Sequence, residues 1–115
     1  MPLIRMETSE KISEEEKPKI LRALTKIVSE ATGKPEAYVM AIVAEASFSM
    51  ASITGPAAFL DVRSIGSINK QVNGKISKDV AALLGESLGI ADDRIFISFT
   101  DVSGSNWGWK GATLA

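Results

Sequence analysis

Apolar residues recur along this chain in two rhythms, and each rhythm occurs twice. Between Ser13 and Thr32, the residues Ile20, Leu24, Ile27, Val28 and Ala31 fall three or four positions apart, with Leu21 beside them. That spacing gathers side chains onto one face of an α-helix. Val72, Ile76, Val80, Leu83 and Leu84 repeat the rhythm between Asn69 and Leu88. Short apolar runs flank each helix: Leu3–Met6 and Tyr38–Val43 around the first, Phe59–Arg63 and Arg94–Phe99 around the second. They read as strands, so the order is strand–helix–strand, twice. Ser13 with Glu16 three positions on has the form of a capping box, and Gly33 supplies a C-terminal stop. Pro18 fits a helix only near its first turn, which allows a start a few residues after Ser13. Gly74 weakens the first turns of the second helix, and Ala44–Pro56, rich in serine and alanine, reads as a loop.

A shift of 56 positions, which sets Leu3 on Phe59, aligns the two halves without a gap. Ile20, Leu24, Ile27 and Val28 then fall on Ile76, Val80, Leu83 and Leu84, and Gly33 falls on Gly89. The hydrophobic register thus persists across a strand, a helix and a second strand. In each unit the helix is the long crossover that parallel strands require. The expected fold is α+β: two β-α-β repeats (residues 2–46 and 58–102) forming a four-stranded mixed sheet with both helices on one face. In the Tyr38–Val43 run both alternating sets, Tyr38/Met40/Ile42 and Val39/Ala41/Val43, are apolar, as in sheets covered on both faces. Two helices cover one face only, so another subunit is expected on the other. The tail, residues 103–115, lies outside the repeat and holds both tryptophans, Trp107 and Trp109, among glycines. It is expected to dock on a neighbouring subunit, the alternative being that it patches its own subunit's core.

At 115 residues the chain is one domain, and its net charge of −1, with acids and bases interspersed, offers no basic stripe for nucleic acid. No stretch approaches the roughly 20 apolar residues of a membrane helix, and no signal-peptide pattern opens the chain, so a cytoplasmic location is the expectation. The absence of cysteine and histidine excludes disulfides, thiol chemistry, Cys/His zinc sites and histidine-based triads. Amines, carboxylates, hydroxyls and backbone groups remain. Among them Pro2 stands out. Methionine aminopeptidase removes Met1 before a small residue or proline, which would leave a secondary amine at the head of an apolar strand. Burial and a nearby cation both lower an amine's pKa, and a neutral amine is a base.

Several stretches resemble the macrophage migration inhibitory factor family of the tautomerase superfamily: Met1-Pro2 opening a strand, Ala31-Thr32-Gly33-Lys34-Pro35 followed by Tyr38, Ser64-Ile65-Gly66, Asp93-Arg94 before the fourth strand, and Asn106 to Trp109. The resemblance covers essentially the whole chain in order. It implies a homotrimer of β-α-β-β-α-β subunits whose sheets face a central channel, with active sites between subunits. It implies a phenylpyruvate-type keto–enol tautomerase needing no metal or cofactor, whose substrate is a small aryl α-keto acid. Pro2 would be the catalytic base, Lys34 would bind the substrate carboxylate, and the Ile65 backbone N–H would bind a substrate oxygen. Tyr38, Phe96, Trp107 and Trp109 would line the pocket for the aromatic ring.

Four departures from the family pattern qualify that reading. Phe96 stands where animal members carry tyrosine, and Ser98 where they carry a substrate-holding asparagine, so dopachrome isomerisation is expected to be weak. Trp107 replaces a small aliphatic residue and narrows the expected pocket. The Cys-x-x-Cys pair of some members is Ala57-Ala58-Phe59-Leu60 here, which removes thiol–disulfide activity. Two other classes remain open on the sequence: a cytokine-like ligand of cell-surface receptors, exported without a signal peptide, and a non-catalytic oligomer that keeps only the fold.

Overall fold

The computed structural model describes residues 1–115. Its elements run β1 (Pro2–Thr8), α1 (Glu16–Thr32), β2 (Met40–Glu45), β3 (Ala58–Ser64), α2 (Lys70–Leu88) and β4 (Ile95–Asp101), followed by a small hairpin of β5 (Gly108–Trp109) and β6 (Ala112–Thr113). The main sheet has the order β2-β1-β3-β4, parallel between β1 and β2 and between β3 and β4, antiparallel at the centre between β1 and β3. No helix is long and apolar enough to cross a membrane.

The repeat read from the sequence is a repeat of structure. Leu3 pairs with Met40 across β1 and β2, and their counterparts Phe59 and Phe96 pair across β3 and β4. The fully buried residues of α1 are Ile20, Leu24 and Val28, and those of α2 are Ile76, Val80 and Leu84, the same positions in each unit. Gly33 and Gly89 both end their helices with positive φ, 74° and 66°, the left-handed conformation glycine adopts without penalty. Short 3-10 turns then follow at equivalent places, Glu36–Tyr38 and Asp92–Arg94.

Two boundaries differ from the sequence reading. α1 begins at Glu16, because Ser13 closes a preceding turn: its hydroxyl and its carbonyl both accept the Glu16 N–H, at 3.2 and 3.1 Å. Tyr38 belongs to a 3-10 turn rather than to β2, because Pro35 accepts the Tyr38 N–H through its carbonyl and Glu36 accepts that of Val39. α2 starts as expected, with the Asn69 side chain accepting the Val72 N–H at 2.9 Å.

Strand alternation divides the sheet into two faces. Ile4, Met6, Leu60 and Val62 are buried beneath the helices and form the core with the two helix triplets. The opposite face has no cover in the chain: Met40 and Ile42 on β2 and Phe96 on β4 are exposed at its edges, next to Leu3 and Phe59 on the two central strands. Its centre is charged. Arg63 and Arg5 both reach the Asp61 carboxylate, at 3.0 and 3.4 Å, and Arg5 also meets Glu7 at 2.9 Å. Hydrogen bonding by Arg63, ahead of that by Arg5, outweighs burial and holds the Asp61 carboxyl below its ordinary value. The expectation of a second apolar face, drawn from β2 alone, therefore holds for that strand, while the central strands place Arg5, Glu7, Asp61 and Arg63 beside Leu3 and Phe59.

Arg94 organises the long loop between the repeats. Its guanidinium donates to the carbonyls of Pro56, Met50 and Ile53 at 3.1, 3.0 and 3.0 Å, spanning a segment in which Ala51 and Ser52 both have positive φ. Replacing Arg94 by alanine is expected to cost about 1–2 kcal/mol, less than the sum of its bonds because the group is partly solvated. The loss should show as faster amide exchange confined to residues 46–56.

Candidate functional site

Pro2 opens β1 on the helix side of the sheet, buried, directly opposite Ser64 in the β1–β3 pair. Ser64 is itself fully buried, and its hydroxyl has no hydrogen-bond partner. Beside Pro2 lies an apolar cavity of about 400 Å³, whose walls include Met1, Tyr38, Met40, Trp107 and Trp109. Two local devices bring the aromatics here. The 3-10 turn after Pro35 lifts Tyr38 off the strand, and the β5–β6 hairpin sets Trp109 against Tyr38. That hairpin is closed by the Leu114 N–H donating to the carbonyls of Gly104 and Trp107, both at 3.1 Å. Trp109 meets Tyr38 edge to face, with ring centroids 6.1 Å apart and planes at 88°, and the Lys110 ammonium lies 4.3 Å from the Trp109 ring. Within one chain the tryptophans thus patch no core; they wall a cavity.

Lys34 follows the C-terminal cap of α1. The Ser29 hydroxyl donates to its carbonyl at 2.6 Å, and its ammonium donates to the Ile65 carbonyl at 2.8 Å. Ile65 sits in the turn after β3. That turn is tied to the end of β4, because Asp101 accepts the Gly66 N–H at 3.0 Å and Ser64 accepts that of Val102 at 2.9 Å. Its own N–H meets no acceptor in the chain. Neither Lys34 nor Ile65 lines the aromatic cavity, yet Lys34 bears on the chain's terminal amine. Burial first, and the Lys34 charge second, hold the Met1 amine below the ordinary value of an α-amine. Removal of Met1 would give that corner to the Pro2 nitrogen.

Six of the eight residues singled out in the sequence therefore cluster around the N-terminus: Pro2, Lys34, Tyr38, Ile65, Trp107 and Trp109. Phe96 and Ser98 do not. Pro2 aligns through Ser64 with Asp101 at the far end of β4, so Phe96 is five positions, about 16 Å, back along the strands. Phe96 and Ser98 also project from the uncovered face, opposite to that on which Pro2 lies. No rotamer change in one subunit joins them to Pro2. The sequence reading passed over Met40, Leu3 and Ala37, which also line the cavity. Their apolar character signalled only strand or turn packing.

This architecture, two β-α-β units about a four-stranded mixed sheet with Pro2 heading one of its two central strands, is that of the tautomerase superfamily. The family model described as macrophage migration inhibitory factor (MIF) matches residues 1–115, and the chain belongs to that family. It is 35% identical over 97 residues to the macrophage migration inhibitory factor of Meriones unguiculatus, an alignment covering 84% of each chain. Among solved structures it is similar to a macrophage migration inhibitory factor homologue from Prochlorococcus marinus (TM-score 0.92, 32% identity, 98% of this chain and 99% of that one). It is equally similar in fold to a macrophage migration inhibitory factor-like protein from Entamoeba histolytica (TM-score 0.92, 31% identity, 97% of each).

Proposed function

We propose that the chain is a keto–enol tautomerase of aryl α-keto acids that uses Pro2, freed of Met1, as its proton carrier. The observation that carries this reading is the corner at the head of β1, where burial and Lys34 lower the pKa of the Met1 amine beside an apolar, aromatic-walled cavity that Pro2 also lines. A neutral amine there takes a proton from the α-carbon of the keto acid. The C–H electron pair becomes the enol double bond, and the proton on nitrogen passes to the carbonyl oxygen; the reverse direction uses the same atoms. Lys34 anchors the substrate carboxylate by charge, and the unengaged Ile65 N–H binds an oxygen that gains negative charge. Tyr38, Trp107 and Trp109 hold the aryl ring.

Phe96 and Ser98 belong to the same site only if they come from another copy. An exposed Phe96 at one edge of the sheet, and Met40 and Ile42 at the other, fit an oligomer closed around the uncovered faces. The reading is therefore a homotrimer with sites between subunits, each using Pro2 of one chain and Phe96 and Ser98 of its neighbour.

The test is the conversion of phenylpyruvate enol to ketone by the Met1-processed protein, set against the same protein retaining Met1. Turnover confined to the processed form is expected, since Met1 turns the Pro2 nitrogen into an amide with no basic lone pair. Equal activity in both forms would remove Pro2 from the mechanism.

A further inference from the structure

Trp107 lies between two cavities. One is the cavity beside Pro2; the other, smaller at about 230 Å³, is bounded also by Leu3, Arg63, Val102, Asn106 and Gly108, of which Leu3 and Gly108 border the Pro2 cavity too. The two tryptophans are held differently. Trp109 is fixed by the Tyr38 ring edge and by the Lys110 cation, and it borders the Pro2 cavity and the outer surface of the hairpin. Trp107 has no aromatic or cationic partner for its ring, and only its backbone is tethered, by the Gly104 carbonyl at 3.2 Å and the Leu114 N–H at 3.1 Å. Of the three residues that border both cavities it carries the bulkiest side chain, half-buried, which makes it the main partition between them.

The far side of that partition is charged. Arg63 engages Asp61 through Nε and Nη2, at 3.2 and 3.0 Å, while Nη1 makes no bond in the chain, and its side chain is 52% exposed. No carboxylate borders the smaller cavity. With the wall removed, a ligand lying over Trp109 could extend from Pro2 toward a guanidinium.

We propose that Trp107 is the specificity-determining partition of this site: it confines the ligand to a single aryl ring and shuts out a subsite at Arg63 that suits a second, distal carboxylate. The inference rests on the tautomerase reading above for its substrate class. Trp107 sets length, and Arg63 supplies the charge preference that appears once the length restriction is lifted.

The test compares phenylpyruvate with its para-carboxy derivative on the Met1-processed protein and on Trp107→Ala, with Trp107→Phe as the milder variant should the alanine protein not fold. Expected is a rise of about tenfold in kcat/KM for the para-carboxy substrate relative to phenylpyruvate in Trp107→Ala. That is the low end for one hydrogen bond to a charged group, because Arg63 is half exposed. Trp107→Phe should give a smaller rise, and Arg63→Met added to Trp107→Ala should cancel the gain. An unchanged ratio in both Trp107 variants would overturn the partition, and a gain that survives Arg63→Met would overturn the charged subsite. If the unaltered protein turns over neither substrate, the tautomerase reading fails. Binding of the two keto acids, followed by the fluorescence of Trp109 in the same variants, then decides the partition on its own through the ratio of dissociation constants.

Discussion

Replacing Pro2 by glycine is expected to lower kcat for phenylpyruvate tautomerisation by roughly 10²-fold or more, the contribution typical of a positioned acid–base group. KM should change little. The reason lies in what each residue presents after Met1 is removed. Proline offers a secondary amine whose ring is buried opposite Ser64 and cannot turn, so its lone pair has one direction. Glycine offers a primary amine on a freely rotating end, keeping a base but losing its aim, which is the entropic part of catalysis. The fold should survive, because the core begins at Ile4 and Met6, both fully buried, and Pro2 caps the strand beyond it. A loss confined to kcat marks an interaction made in the transition state alone; a loss in KM would mark Pro2 as a wall of the pocket.

Lys34→Ala should lower kcat/KM by about 10- to 100-fold, the range for a hydrogen bond between charged groups, and mainly through KM. It should also move the acidic limb of the pH profile. The active form of the base is the neutral amine, so activity rises as pH rises through its pKa. Burial and Lys34 both lower the pKa of the Met1 amine, and the Pro2 nitrogen is expected to meet the same influences once Met1 is removed. Removing Lys34 leaves burial, the larger cause, in place; the pKa rises partway toward the ordinary α-amine value, and the limb shifts to higher pH. Lys34→Arg keeps the charge but reaches differently, so it should hold the limb near its original position while KM still suffers. A limb that stays put in Lys34→Ala would separate Lys34 from the amine and leave it a binding role alone.

The chain's hydrophobic rhythm carried much of this architecture openly. Ile20, Leu24 and Val28 recur as Ile76, Val80 and Leu84 because each helix lays the same stripe on the same kind of strand pair, and burial tolerates no other residue type there. The helix stops were legible for a local reason, since Gly33 and Gly89 adopt a backbone conformation few other residues reach cheaply. Tyr38 was not placed correctly. Its aromatic ring continues the alternation of β2, and the hydrogen bond from its own N–H to the Pro35 carbonyl leaves no trace in that pattern. The charged centre of the uncovered face was also missed, because Arg5 and Asp61 sit in different strands and meet only through the β1–β3 register.

The site was legible unevenly for the same kind of reason. Pro2, Lys34 and Ile65 could be named from short motifs, since each is fixed by its own turn or strand end. Phe96 and Ser98 could be named too, but nothing local reveals that they point away from Pro2; sheet register decides that. Trp107 and Trp109 are two residues apart and look equivalent in sequence. Only the hairpin shows that Trp109 meets Tyr38 edge to face while Trp107 borders two cavities.

The most direct measurement is a ¹⁵N titration of the Pro2 nitrogen in the Met1-processed protein, with the pH dependence of kcat/KM for phenylpyruvate recorded on the same sample. The expected result is a pKa for Pro2 below that of an unperturbed N-terminal proline, coincident with the acidic limb of activity. A Pro2 that titrates as an unperturbed amine, or an activity limb that ignores its titration, would remove Pro2 as the base.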